Sequence, residues 1–286
     1  MKLADFIKSR LSVEEYSFSR DEYMTYSGKC TNAVTTDLAY LSEKGEIFSL
    51  RKRFYLIIPP RYSKLGVIPL ELYVNKLFEH LDKPYYIGLY SAAQIHGAAH
   101  QQAQTEYIIT QGTRMLDIRK KNIAINFFLT SNWPQANIAQ KKSDAGYFNV
   151  SDPLLTIVDL IYHQRKLGGI NRMLANIEEL LEEVELSDMG SLLQWYPHKS
   201  VLQRLGFLID YINPENDLLE PLIAHLERHG FYPVLLNTSD KIKPGAVDNQ
   251  WKVDVNLVDK PGKVTHPRRM KLTRVNELLR FDLSLG

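Results

Sequence analysis

Three consecutive cations, Arg51, Lys52 and Arg53, stand between two apolar segments of strand character, Glu46 to Leu50 and Phe54 to Ile58. A basic tip on a two-stranded hairpin suits phosphate oxygens, which position a nucleic acid without reporting its sequence. Earlier in the chain, Asn32, Thr35, Thr36 and Tyr40 recur at spacings of three and four and so share one side of a helix that Thr31 opens. Short polar groups in that pattern suit base edges. An amide pairs bidentately with adenine, a hydroxyl donates or accepts, and the threonine methyl meets that of thymine. Lys29 and Lys44 bracket the helix, where ammonium groups sit over phosphates. The candidate DNA-binding set is therefore Lys29, Thr31, Asn32, Thr35, Thr36, Tyr40, Lys44, Arg51, Lys52 and Arg53.

These residues need a scaffold, and local signals supply one. Ser19 followed three positions on by Glu22 forms a capping box, so a short helix starts at Arg20. It ends at Gly28, where a left-handed residue costs least, and the next helix opens at Thr31 or Asn32. Val34, Leu38 and Leu41 give this second helix one buried stripe. Leu3, Phe6, Ile7 and Leu11 make a supporting helix ahead of both. A supporting helix, a helix, a turn, a second helix and a basic hairpin are the order of a winged helix-turn-helix, expected over residues 1–64. Residues 29–66 carry Lys or Arg at 29, 44, 51, 52, 53, 61 and 64 against acids at 37, 43 and 46, a net of +4, whereas the entire chain nets +2. Such a focused patch points to DNA. The same module elsewhere serves as a protein-docking or packing unit, and that alternative stays open.

The whole chain bounds the rest. With 286 residues, 44% hydrophobic and 24% charged, it is long enough for two domains with cores. No stretch approaches the ~20 apolar residues of a membrane span. Met1 to Leu11 alternates charge with apolar residues where a signal peptide has an apolar core, so the cytoplasm is the expected compartment. Cys30 is the only cysteine, which excludes an internal disulfide and a Cys-based metal site; a buried thiol is its expected role.

Pro59 and Pro60 end the second strand, and Arg61 to Gly66 reads as a linker. Beyond it, a larger mixed α/β domain is expected over 65–286, giving an α+β chain. Glu71 to Leu81 is amphipathic, and Tyr85 to Leu89 has strand character. Ser91 is a natural N-cap for a helix of about two turns ended by Gly97. Strands over 105–111, 123–130 and 145–150 make a small sheet, about 85–150 in all. Ser151-Asp152-Pro153 opens an apolar helix that begins a helical lobe, about 151–230, with further helices over 170–185, 189–196, 198–211 and 216–229. Six acids without a base in 178–188 form a solvated helix face or, alternatively, a docking surface for a basic partner. The remainder, 231–286, holds an alternating strand from Trp251 to Leu257 and a basic stretch. Residues 241–280 have ten Lys or Arg against acids at 248, 254, 259 and 277, a net of +6. That stretch reads equally as a further nucleic-acid surface or as a solubilising terminus.

Enzyme chemistry finds little support. His96 and His100 have the spacing of two metal ligands on a helix, but Gly97 lies between them and no Glu follows His96. There is no Gly-rich phosphate loop and no Gly-x-Ser-x-Gly elbow. Asp152 and Asp159 sit seven apart on a helix, whereas a nucleotidyl transferase wants carboxylates close together on a strand after a Gly-Ser pair. No catalytic residue, cofactor or metal is expected.

Four further segments, taken in order, resemble a known family. They are Ser91-Ala92-Ala93 with His96-Gly97, Ser151 to Thr156 with Asp159-Leu160, Arg204 to Leu208, and Trp251-Lys252-Val253 with Asn256. With the N-terminal module they make the chain resemble, over its full length, the AbiEi-like antitoxins of bacterial type IV toxin–antitoxin (abortive-infection) operons. The resemblance implies two roles. The N-terminal domain binds promoter repeats of its own operon in duplex DNA and represses them. The C-terminal domain neutralises a cognate nucleotidyltransferase-like toxin, with or without a stable complex. Two departures stand out: Arg53 occupies a wing position where the family usually has glycine, and Ala93 replaces a leucine. A plain winged-helix regulator with a C-terminal sensing domain is the alternative, and a metal-dependent enzyme the third reading.

Overall fold

The computed structural model describes residues 3–64, 66–98, 104–245, 247, 249–259 and 263–264. It is a mixed α and β chain that divides into two compact units. The first comprises residues 1–94, 101–133 and 138–152, and the second the remainder.

The first unit begins with α1 (Leu3–Leu11), β1 (Ser17–Ser19), α2 (Arg20–Ser27), α3 (Thr31–Glu43), β2 (Ile47–Arg51) and β3 (Phe54–Ile57). Helix α2 starts where its capping box dictates: the Glu22 N–H donates to Ser19 Oγ at 3.2 Å and the Ser19 N–H to Glu22 Oε2 at 2.6 Å. It stops at Gly28, whose φ of 65° is left-handed. Phe6, Phe18, Tyr23, Val34, Leu38 and Leu41 close a core beneath the three helices, with the Phe6 ring edge-on to Phe18 at 5.2 Å. Each such side chain contributes about 1.5–3 kcal/mol through apolar area removed from water. The strands form an antiparallel sheet in the order β1-β3-β2. Strand β1 was not anticipated because its three residues, Ser17 to Ser19, are too few to establish a period. Cys30, expected to be buried, is exposed, because it immediately precedes the first turn of α3.

The same unit continues through α4 (Val74–Leu81), β4 (Tyr85–Ile87), α5 (Leu89–Ile95), β5 (Glu106–Gln111), β6 (Ile118–Lys120), β7 (Ile123–Thr130), β8 (Ile138–Ser143) and β9 (Gly146–Ser151). Six strands form one mixed sheet in the order β6-β7-β5-β4-β9-β8. Pairs β5–β7 and β4–β9 are parallel; the other three are antiparallel. The edges, β6 and β8, were not anticipated, since Ile118-Arg119-Lys120 and Ile138 to Ser143 are mostly polar, as edge strands tolerate. Ser91 is not an N-cap. Helix α5 starts two residues before it, and Ser91 Oγ instead donates to Glu106 at 2.5 Å and accepts from the Tyr107 N–H at 2.9 Å. A boundary expected near residue 64 falls inside this unit. The β2–β3 hairpin is tied to the later segments: Lys120 Nζ donates to the Ser49 carbonyl at 3.0 Å, and His80 Nε2 lies 3.4 Å from that of Lys52.

The second unit holds α6 (Pro153–His163), α7 (Leu174–Leu181), α8 (Leu186–Trp195), α9 (Lys199–Ile212) and α10 (Leu219–His229). Pro153 occupies the first turn of α6, where its missing N–H is harmless. The helix expected over 170–185 is a 3-10 turn at Ile170–Arg172 followed by the shorter α7. Short strands β10 (Val234–Leu235) and β11 (Val253–Asp254) pair in parallel, and β12 (Val258–Asp259) pairs with β13 (Lys263–Val264). The strand expected from Trp251 to Leu257 is therefore only two residues of ladder, because Trp251 is wholly buried against α9 and the Asn256 side chain bonds backbone at Asn237. Much of the basic stretch 241–280, like His100, lies outside the described residues.

Candidate nucleic-acid interface

Helix α3 presents two opposite faces. Val34, Leu38 and Leu41 are buried, whereas Thr31, Asn32, Thr35, Thr36, Ala39 and Tyr40 are exposed, Tyr40 to 55%. The exposed stripe is uncharged until Glu43 closes it with one negative charge. The hydroxyls of Thr35 and Thr36 donate to the carbonyls of Thr31 and Asn32 at 2.9 and 3.1 Å. Their protons are thus committed, leaving lone pairs and methyl groups outward. Among the described residues the Asn32 side chain has no hydrogen-bond partner, so its amide retains full donor and acceptor capacity. At the far end the Lys44 ammonium lies 4.4 Å over the Tyr40 ring, and its contact with Tyr40 raises its pKa above the ordinary lysine value.

The angle between α2 and α3 is held by one carboxylate. Asp37 Oδ2 accepts from Tyr23 Oη at 2.6 Å and from Lys29 Nζ at 2.5 Å. Lys29 foremost, then Tyr23, holds the Asp37 carboxyl below the usual range, while burial and then Asp37 raise the Tyr23 phenol. Lys29 is therefore an internal partner first, with its charge already offset. Glu22 is similar: burial raises its carboxyl, but Ser19 and then Arg10 more than reverse this.

The basic hairpin divides its three cations. Strands β2 and β3 pair Ser49 with Tyr55 and then Arg51 with Phe54, a register shift that leaves Lys52 and Arg53 at the turn. Both are exposed. Arg53 adopts φ 64°, the left-handed conformation that glycine would supply without strain, and its guanidinium stands 3.7 Å from Asp21. Arg51 is only partly exposed. Its guanidinium donates to the Leu116 carbonyl and lies 5.0 Å over the Phe127 ring, and burial lowers its pKa against the opposing field of Asp117. The structure thus gathers Lys52 and Arg53 at the tip and holds Arg51 against the loop before β6.

A second basic hairpin, Arg119 and Lys120 at the end of β6 with Lys121 in the turn to β7, all exposed, was not anticipated from the sequence. The signal was present, since a run of cations between Ile118 and Ile123 repeats the pattern of 51–53. Among the described residues no group of three or more His, Cys, Asp or Glu is gathered that could hold a metal ion, and no helix is long and apolar enough to cross a membrane. No family model matches the chain, and no curated protein matches it.

Proposed function

We propose that this chain is a DNA-binding antitoxin and autorepressor of a bacterial type IV toxin–antitoxin operon, acting in the cytoplasm without catalysis or cofactor. Residues 3–58 form its winged helix-turn-helix, with α2 and α3 as the helix pair, the β2–β3 hairpin as the wing, and α3 as the reader. The observation that carries the DNA reading is the exposed stripe of α3, whose polar, uncharged groups face away from the core with Asn32 unengaged. Lys44 at the end of that helix and Lys52 and Arg53 at the hairpin tip supply the phosphate contacts. The antitoxin half, neutralisation of a nucleotidyltransferase-like toxin, is supported by the order of motifs that resembles the AbiEi-like family.

Competition binding on the duplex upstream of the gene tests the first half. Asn32→Ala should lose operator discrimination by about 1–3 kcal/mol, the worth of one bidentate base contact, while binding to unrelated duplex persists. Undiminished preference for operator in that variant removes α3 as the reader.

A further inference from the structure

Two basic hairpins lie side by side in the first unit. Lys120 Nζ donates to the Ser49 carbonyl at 3.0 Å, the Lys121 ammonium stands 5.1 Å over the Phe48 ring, and Arg51 reaches the Leu116 carbonyl. Between them runs a groove of about 470 Å³, walled by Arg51 and Lys52 from one hairpin and by Arg119 and Lys120 from the other. Asp117 is its single acidic lining residue, and one of its carboxylate oxygens already accepts from the Phe127 N–H at 3.1 Å. None of Arg51, Lys52, Arg119, Lys120 and Lys121 makes an ion pair among the described residues.

Five like charges gathered on two neighbouring hairpins oppose folding, and a hairpin serving stability alone would interleave acids. Lys121 adds to that cost. Its φ of 49° is left-handed, where asparagine or glycine would sit with less strain. The charges are spread over both hairpins on long stems and do not converge on one buried point; of the apolar lining residues Leu50 and Ile118 are buried and Leu116 is exposed. That layout matches a line of phosphodiesters passing across the groove better than an enclosed small anion.

We infer that the β6–β7 hairpin is a second phosphate-gripping arm, with Lys120 and Lys121 holding the backbone of the duplex alongside the wing residues Lys52 and Arg53, and Arg119 bonded behind them to the Ile118 and Ile125 carbonyls and to Asn126. This rests on the DNA reading above and extends its footprint beyond the N-terminal helices. Such contacts carry no sequence information, so the arm adds affinity and salt dependence alone.

The test uses the full chain and a labelled operator duplex, with affinity read by fluorescence anisotropy from ~50 to ~200 mM salt. Lys120→Gln with Lys121→Asn should lower the slope of log affinity against log salt by about 2, at ~0.9 per phosphate. The affinity lost across that salt range should shrink about tenfold, equally for operator and unrelated duplex. Lys121→Asn alone, which leaves the Lys120 bond to Ser49 intact, should lower the slope by about 1. Lys120→Arg should leave it unchanged. An unaltered slope in both neutralised variants overturns the arm. So does a changed preference between operator and unrelated duplex. Failure of the unsubstituted chain to bind any duplex overturns the DNA reading itself, whereas an unaltered slope with Asn32→Ala behaving as expected removes this hairpin only.

Discussion

Arg51 donates its guanidinium hydrogen to the carbonyl oxygen of Leu116, far along the chain, and in doing so leaves the hairpin tip to Lys52 and Arg53. The three adjacent cations therefore separate by experiment. Arg51→Ala removes a charge-assisted hydrogen bond and the ring contact with Phe127, and should lower stability by on the order of 1 kcal/mol in urea unfolding. Lys52→Ala touches neither and should leave the urea midpoint in place while lowering the salt slope of DNA binding by about 1. Equal stability in the two variants would remove the structural role given to Arg51.

Arg53 sits at φ 64°, so charge and backbone make opposite demands at one position. A non-glycine residue there costs about 1–3 kcal/mol, and glycine costs about 0.5–1 kcal/mol through unfolded-state entropy. The contact with Asp21 is exposed and contributes little. Arg53→Gly should therefore raise stability by roughly 0.5–1 kcal/mol while reducing the salt slope by about 1. Destabilisation on this substitution would mean that Arg53 is held by contacts rather than tolerated.

The same contrast explains how much of the molecule could be read in advance. The start and stop of α2 follow from Ser19, Glu22 and Gly28, whose interactions lie within a few residues and so leave a local signature. The two faces of α3 follow from its periodicity in the same way. Partners that meet only through tertiary packing leave none. That Lys29 is engaged by Asp37, and Arg51 by Leu116, follows only from the tertiary packing. Gly206 and Trp251 were visible as separate motif pieces, yet only the fold reveals why they belong together. Trp251 is wholly buried, and a Cβ at position 206 would overlap its ring. The edge strands β6 and β8 escaped because half-exposed polar residues carry almost no alternation, and with β6 went the second basic hairpin.

In the second unit, burial foremost, with Lys166 and His198 adding repulsion, drives the His163 imidazole down to about 3. His198 is lowered too, by burial. A histidine kept neutral in the fold binds fewer protons than the unfolded chain once pH falls below its ordinary value of ~6.5. Its contribution is therefore complete above pH ~6.5 and declines steadily as pH drops toward the folded value. Between pH ~6.5 and ~5 the loss should approach 2 kcal/mol, read as a falling urea midpoint. His163→Asn should flatten most of that decline and leave a smaller part to His198. A decline of the same size in the variant would place its origin elsewhere.

Separating neutralisation of the toxin from repression calls for point substitutions, because a cut at residue 64 would sever the bonds that join Ser49 to Lys120 and Arg51 to Leu116. The full chain carrying Asn32→Ala, Lys52→Ala and Arg53→Gly keeps those bonds and the core beneath α3, and should fold while losing operator binding. Co-expressed with the cognate nucleotidyltransferase from a foreign promoter, where repression of the operon plays no part, it should restore growth as fully as the unsubstituted chain. The same variant should fail to silence a reporter driven by the native promoter. Growth rescue lost together with repression, in a variant whose urea midpoint is not lowered, would tie neutralisation to DNA binding and sink the division of roles proposed for the two activities.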